Sequence, residues 1–218
     1  MNAYNTDAYH KHIEEYFTAW LGQCQPTYIE EASYSFDNCK VSVQRQNYEG
    51  ICNGISVRGQ KELLDIFVND THLCNYVCSD NTFIYMFEYN DDDYLIFNKH
   101  LYGYTILNLK TKEEYNYFPS LVANDKGEAF IIANATKIDS FLVLEGCYWA
   151  CPYEYYLLDL DTKKTLRLQS IFDGNDHSSI GIRKADDIVH FCFEEGSDAS
   201  FSISELKRLL KESITSDI

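Results

Sequence analysis

Two segments of the chain repeat one another, and this repetition limits the folds that the sequence can adopt. The segment YGYTILNLKTKEEYNY, which begins at Tyr102, aligns with YEYYLLDLDTKKTLRL, which begins at Tyr153, at an offset of 51 residues. Upstream, the apolar run YLIF at Tyr94 aligns with the run FLVL at Phe141 at an offset of 47 residues. Short apolar runs alternate with polar turns such as LKTK and LDTK, so each segment predicts four short strands.

Four short strands in a period near 45 residues are typical of a β-propeller blade. A weaker third copy begins at Ile180. Because a closed propeller needs about four blades, we expect a mainly β fold of open, propeller-like antiparallel sheets, with two to three units of about 47 residues. Leu107 and Leu158 should hold equivalent core positions in the first two units. Residues 36–57 are a candidate for a further, degenerate unit.

Helices are predicted on both sides of the β-rich region. An apolar stripe at helical spacing predicts an N-terminal helix that includes Ile13, Tyr16, Phe17, Trp20 and Leu21. Similar spacing at Leu63, Leu64, Phe67 and Val68 predicts a second, shorter helix over residues 60–68. A third helix is predicted over residues 202–215, with Ser202 or Ser204 as its N-cap.

The length and composition favour a single domain that is rich in strands. The chain has 218 residues, and 45% of them are hydrophobic, which is enough for one ordinary core. It contains 18 Tyr and 13 Phe against 3 Pro, and aromatic residues favour pleated, half-buried surfaces. We therefore expect one domain over residues 1–218: a helix-containing part (1–80), a β-repeat part (81–196) and the C-terminal helix.

The chain is strongly acidic, which restricts the partners it can have. With 34 acidic and 18 basic residues, the formal net charge is −16. Such a field repels nucleic acid and anionic membranes, whose recognition needs Lys and Arg. It accelerates the approach of a basic protein. The alternative is that the excess charge serves solubility alone.

The cysteines are expected to be reduced and to hold no metal. The N-terminus lacks the pattern of a secretion signal and no segment is apolar enough to span a membrane, so we expect a cytoplasmic protein. The eight cysteines include the pairs Cys74/Cys78 and Cys147/Cys151, whose spacing a zinc site permits. Cysteine also serves as a small buried hydrophobe, and we favour that interpretation.

The segment GCYWACPYE, which spans Gly146 to Glu154, follows KGEAFIIANA and the apolar strand FLVLE. In this order the three segments resemble a group of uncharacterised bacterial proteins with β-rich, propeller-like domains. The resemblance covers roughly residues 80–168. It implies a fold and, because that group has no assigned activity, it implies no catalytic residue.

No catalytic motif accompanies these features. The sequence has no Walker loop and no GxGxxG, HExxH or GxSxG pattern. A nucleophilic Cys147 needs a lowered pKa, which acidic surroundings oppose. Neighbouring acids such as Glu30 and Glu31 leave a carboxylate-dependent enzyme acting on a small ligand or a carbohydrate as an alternative. We expect no cofactor.

These observations favour a non-catalytic acidic protein that neutralises a basic protein partner, in the manner of an immunity protein against a toxin or of an inhibitor. The run Asp91, Asp92 and Asp93 is the candidate steering patch. Tyr148 and Trp149 are the candidate anchors, because Trp and Tyr dominate interface energetics. Besides the carboxylate-dependent enzyme, the alternatives are a propeller-like scaffold protein and a metal-dependent module at the paired cysteines.

Overall fold

The computed structural model describes residues 21–79, 83–99, 103–117, 131–147, 154–168, 171, 180–193 and 198–212. In these ranges the chain forms four antiparallel sheets, one α-helix and a short 3-10 turn at Leu21–Gln23. The predicted mainly β class is confirmed. Contacts divide the chain into two compact units, the first before residue 130 and the second from residue 130 onward. The predicted N-terminal helix falls mainly on residues 1–20, which lie outside the described residues.

Sheet A is a meander of four long strands in the first unit. Its strands follow chain order across the sheet: β1 Gln25–Ser35, β2 Cys39–Cys52, β3 Ile55–Val68 and β4 Thr71–Ser79. The prediction of a helix over residues 60–68 is wrong, because this segment pairs with β2 along its whole length as part of β3. Residues 36–57 contribute to two strands of this sheet.

Sheet B completes the first unit with four shorter strands, also in chain order. They are β5 Ile84–Tyr89, β6 Asp92–Phe97, β7 Tyr104–Asn108 and β8 Glu114–Tyr117. One core joins sheets A and B, and its fully buried members include Val41, Leu64, Ile66, Leu95, Phe97 and Leu107. The members of this core on β2 and β3, such as Val41 and Ile66, lie in the half of sheet A that is nearer the β1–β2 turn.

The second unit contains sheets C and D and the C-terminal helix. Sheet C is a meander of β9 Ile131–Ile138, β10 Phe141–Cys147, β11 Glu154–Asp159 and β12 Thr165–Arg167. Sheet D consists of β13 Ile180–Ala185, β14 Ile188–Phe193 and β15 Ala199–Ser202, and α1 Ile203–Glu212 follows it. Their shared core includes Phe141, Val143, Tyr155, Leu157, Phe191 and Leu206.

Sheets B and C carry the same turn after their third strand. In sheet B the side chain of Asn108 accepts hydrogen bonds from the backbone N–H groups of Lys110 and Thr111 (both 2.9 Å). In sheet C the side chain of Asp159 accepts the equivalent bonds from Asp161 (2.9 Å) and Thr162 (3.4 Å). Each turn also ends in a lysine with positive φ, 63° at position 112 and 58° at position 163. Leu107 and Leu158, both fully buried, lie on the third strand of their sheets.

The C-terminal helix begins where the third strand of sheet D ends. In sheets B and C, the first turn residue after the third strand, Leu109 or Leu160, donates its N–H to a carbonyl at the start of the second strand. In sheet D the donor of that bond is Ile203, the first residue of α1, and the acceptor is Asp187 O (2.9 Å). Ser202 Oγ accepts a hydrogen bond from Glu205 N (3.1 Å), so Ser202, one of the two predicted N-caps, is the residue that caps the helix.

Candidate binding surface

The aspartate run that the sequence singles out lies at the tip of the β5–β6 hairpin. Asp91 is exposed and has φ 62°, a left-handed conformation that Asp tolerates better than most residues. Asp92 accepts hydrogen bonds from Lys110 Nζ (2.8 Å) and Asn108 Nδ2 (3.1 Å), and the bond from Lys110 lowers the pKa of its carboxyl group. Asp93 accepts a hydrogen bond from Asn38 Nδ2. Only Asp91 of the three therefore presents its carboxylate chiefly to solvent.

Other hairpin tips in the described ranges carry the same kind of residue. Positive φ angles occur at Asn53 (51°), Asn69 (48°), Asp70 (60°), Asp139 (51°) and Asp186 (50°). Each belongs to a two-residue turn that joins neighbouring strands, and all except Asp139 are open to solvent without an ion pair in the structure. Asn and Asp are favoured there because their short polar side chains stabilise such turns. Part of the acidity of the chain is thereby displayed on turns.

The candidate anchors Tyr148 and Trp149 lie outside the described residues. Described residues on either side of them belong to β10, which ends at Cys147, and β11, which begins at Glu154. Their part in binding stays a prediction.

Strand β1 is a larger exposed surface, which the sequence analysis missed. All 11 of its residues are exposed. They include three large apolar or aromatic side chains, Tyr28 (59% exposed), Ile29 (52%) and Tyr34 (39%). Residues directly opposite each other in an antiparallel pair share a face of the sheet. Since Tyr34 lies opposite the buried Val41, the face that carries Tyr34 is the inner, core-bearing face of sheet A.

A row of charged residues crosses this inner face beside Tyr28. Glu30 of β1 lies opposite Arg45 of β2, which lies opposite Glu62 of β3. Arg45 Nε donates to Glu62 Oε1 (2.7 Å), and its Nη1 is 3.5 Å from Glu30 Oε2. Glu62 is fully buried and its hydrogen bond raises the pKa of Arg45, whereas Glu30 remains half exposed. Arg45 thus bridges the two carboxylates, with the shorter bond to the buried Glu62, and about half of the Glu30 side chain remains exposed to solvent.

Glu30 and Glu31 cannot act as a catalytic pair on one ligand. They are adjacent in a strand, and successive side chains of a strand point to opposite faces. A glycosidase needs both carboxyl groups in one cleft, about 5 to 9.5 Å apart. The structure therefore gives this pair no support as the centre of a carboxylate-dependent enzyme.

Cys74 and Cys78 do not bind one metal ion together. Cys74 and Cys78 are four residues apart on β4, so they are about 13 Å apart along the strand, whereas two sulfurs on one zinc ion lie within about 4 Å. Burial raises the pKa of the Cys39 thiol to about 11 and also raises that of Cys74. In the described part of the chain no group of three or more His, Cys, Asp or Glu side chains is arranged to hold a metal ion.

The polar cluster around Tyr76 connects the two sheets of the first unit. Tyr76 Oη donates to Glu114 Oε1 (2.6 Å), and Lys99 Nζ lies 4.9 Å from the centre of the Tyr76 ring and 3.7 Å from Glu114 Oε2. Burial raises the pKa of Tyr76, so its hydroxyl stays protonated. The cluster therefore links β4 to β8.

No helix in the described ranges is long and apolar enough to cross a membrane. Among the residues it describes, the structure thus displays an acidic, aromatic strand edge in the first unit and acidic hairpin tips in each unit. Comparisons of the chain with models of protein families, with curated proteins and with solved structures give no match.

Proposed function

We propose that this chain is a non-catalytic acidic binding protein that neutralises a basic protein partner in the cytoplasm, as an immunity protein or an inhibitor does. One observation carries the proposal. Several cations in the described ranges are paired with the chain's own acids, as in Arg45–Glu62 and Lys110–Asp92. Acids at exposed tips, such as Asp70, Asp91 and Asp186, remain open to solvent. The field that a partner meets is therefore negative.

The same proposal includes a propeller-like repeat fold as the scaffold. Its support is the shared turn at Asn108 and Asp159 and the position of Leu107 and Leu158 on third strands. In such a fold, hairpin turns join neighbouring strands within each sheet, so several similar sheets display many turn tips. Such tips are suitable positions for charges that steer a partner.

The experiment removes charge from the tips without changing the turns. In the triple variant Asp70→Asn, Asp91→Asn and Asp186→Asn, asparagine keeps the left-handed conformation that it already adopts at Asn53. Wild type and variant are immobilised and used to capture proteins from the source cells at low salt. Association and dissociation rates are then measured for any basic protein retained. We expect the variant to associate a few-fold more slowly with an unchanged dissociation rate, because peripheral charges act on the on-rate.

The matched control adds charge at the same kind of position. The variant Asn53→Asp should associate faster than wild type, and the difference should fall as salt rises, since charges are screened beyond about 8 Å at physiological ionic strength. Replacement of Trp149 by alanine should instead speed dissociation if that residue is the anchor. The proposal fails if nothing basic is retained at low salt, or if the triple variant associates at the rate of the wild type.

A further inference from the structure

β1 is an open sheet edge whose charged side chains, Glu30 and Glu31, are both acidic. The strand is 11 residues long and, among the described residues, pairs with β2 alone. Native edge strands are usually short, carry charged side chains, most often lysine, or are interrupted by proline or bulges. In β1 the proline and the irregular register are confined to the start, at Pro26, and no Lys or Arg occurs from Gln25 to Ser35. The edge after Pro26 is able to accept another strand.

The closing bond of the β1–β2 hairpin shows which backbone groups are available. Phe36 N donates to Cys39 O (2.8 Å), so these two residues form a hydrogen-bonded pair. Hydrogen-bonded and non-hydrogen-bonded pairs alternate along an antiparallel ladder. The even-numbered residues of β1 from Tyr28 to Tyr34 therefore bond to β2. The odd-numbered residues from Ile29 to Ser35 direct their N–H and C=O groups away from the sheet.

The side chains along this edge suit a strand that carries positive charge. On the inner face, Tyr28 is next to Glu30, and Tyr34 follows beyond Ala32; the two tyrosines and Glu30 are substantially exposed. A Lys or Arg side chain added beside Glu30 would meet a half-exposed carboxylate, shared with Arg45, and the neighbouring aromatic side chain of Tyr28. On the outer face, Glu31 offers a second carboxylate. Each face of β1 thus carries one glutamate, and β1 itself contains no Lys or Arg.

We propose that β1 is the docking strand, to which an extended basic segment of a partner protein adds as a fifth strand of sheet A. This inference rests on the proposed function and names the surface and the chemistry of recognition. Backbone hydrogen bonds to Ile29, Glu31 and Ser33 supply the affinity, and alternating Lys or Arg side chains supply the specificity. A second copy of this chain is the less suitable occupant, because it brings the same two glutamates and a net charge of −16.

The first test uses the full chain and the acetylated, amidated peptide Lys-Val-Lys-Val-Lys-Val-Lys as the probe, followed by backbone amide exchange in NMR spectra. We expect saturable binding with a Kd of millimolar order or tighter. Exchange should slow at the amides of Ile29, Glu31 and Ser33, while the amides of Glu30 and Ala32, already bonded to β2, should not change. Protection elsewhere, or none in β1 at saturation, overturns the inference.

Two variants separate strand addition from general attraction. Glu31→Lys should weaken binding of the lysine peptide about tenfold or more and confer binding of the matched peptide Glu-Val-Glu-Val-Glu-Val-Glu, with Glu31→Gln intermediate. Ser33→Pro removes an outward N–H and no bond to β2, so it should abolish binding while the β1–β2 amides remain protected. If Ser33→Pro leaves binding unchanged, the inference is wrong. If the wild type self-associates and Ser33→Pro abolishes this, the edge serves a second copy and the inference is also wrong.

The two proposals fail in different ways. Suppose that a basic partner is captured and that its association rate depends on the aspartate tips. If this partner leaves the amides of β1 unprotected and still binds the Ser33→Pro variant, the proposed function stands, but β1 is not the docking strand. If the triple aspartate variant associates at the rate of the wild type, by contrast, the proposed function itself is refuted.

Discussion

Truncation of Leu107 and Leu158 tests whether sheets B and C are built on one plan. Both leucines are fully buried on the third strand of a four-stranded meander. Leu→Ala deletes three carbon atoms, and each buried methylene contributes about 0.8 kcal/mol, so the transfer term alone is about 2.4 kcal/mol. The cavity raises the usual cost to about 2.7–5 kcal/mol. If the two sites are equivalent, we expect both variants to lose stability in this range and to within about 1 kcal/mol of each other.

Hydrogen exchange measured by mass spectrometry on peptides of each sheet is the suitable assay, because two compact units need not unfold in one transition. A loss of about 2.7 kcal/mol, the lower end of this range, corresponds to roughly 100-fold faster exchange of globally protected amides. Leu107→Ala should produce this change in sheet B, and Leu158→Ala should produce it in sheet C. The conservative variants Leu107→Met and Leu158→Met serve as controls, with an expected cost below about 1.5 kcal/mol. A large loss at one site with less than about 1 kcal/mol at the other would refute the equivalence.

Two further predictions concern the second unit. Ser202→Ala should destabilise α1 by about 1 kcal/mol in denaturant unfolding, whereas Ser202→Asp should retain most of the stability, because either oxygen accepts the N–H of Glu205. Lys184 holds the pKa of Asp139 below its ordinary value through a hydrogen bond, so Lys184→Met should raise that pKa in an NMR titration. A depressed carboxyl pKa stabilises the fold above the unfolded pKa of about 3.9, so the variant should be less stable than wild type at pH 6 and the difference should vanish as the pH falls through the folded pKa. Equal pKa values in the two proteins would contradict this assignment.

The short strands were predictable because their turns are local. LKTK and LDTK mark bends in which one side chain, Asn108 or Asp159, accepts the hydrogen bonds of the next backbone amides. Such chemistry depends on a few adjacent residues and is visible in the sequence. The cap at Ser202 was predictable for the same reason.

The error at residues 60–68 has a different origin. Leu63 and Phe67 are partly buried on the outer face of β3, while Leu64 and Ile66 are fully buried on its inner face. Apolar residues on both faces erase the alternation that identifies a half-exposed strand, and the remaining spacing imitates a helix. Residues 60–68 form a strand because they pair with β2, and a short stretch of sequence does not show such a long-range contact.

The exposed edge at β1 could not be inferred from its residues alone. The sequence YIEEASYS mixes aromatic, acidic and small residues without clear alternation. Its importance follows from its position at one end of sheet A, which only the order of strands reveals. The pairing of Asp92 with Lys110, and of Asp93 with Asn38, also depends on contacts between distant parts of the chain.

The left-handed hairpin tips give this protein an unusual freedom in evolution. Tips such as Asn53, Asn69, Asp70 and Asp186 accept either asparagine or aspartate for the same conformational reason. A single nucleotide change interconverts these two amino acids, so each tip can gain or lose one negative charge while its hairpin is preserved. The surface potential can therefore change in single-charge steps while the sheets remain the same. A lineage under pressure to follow a changing partner could retune its association rate in this way before any buried residue is replaced.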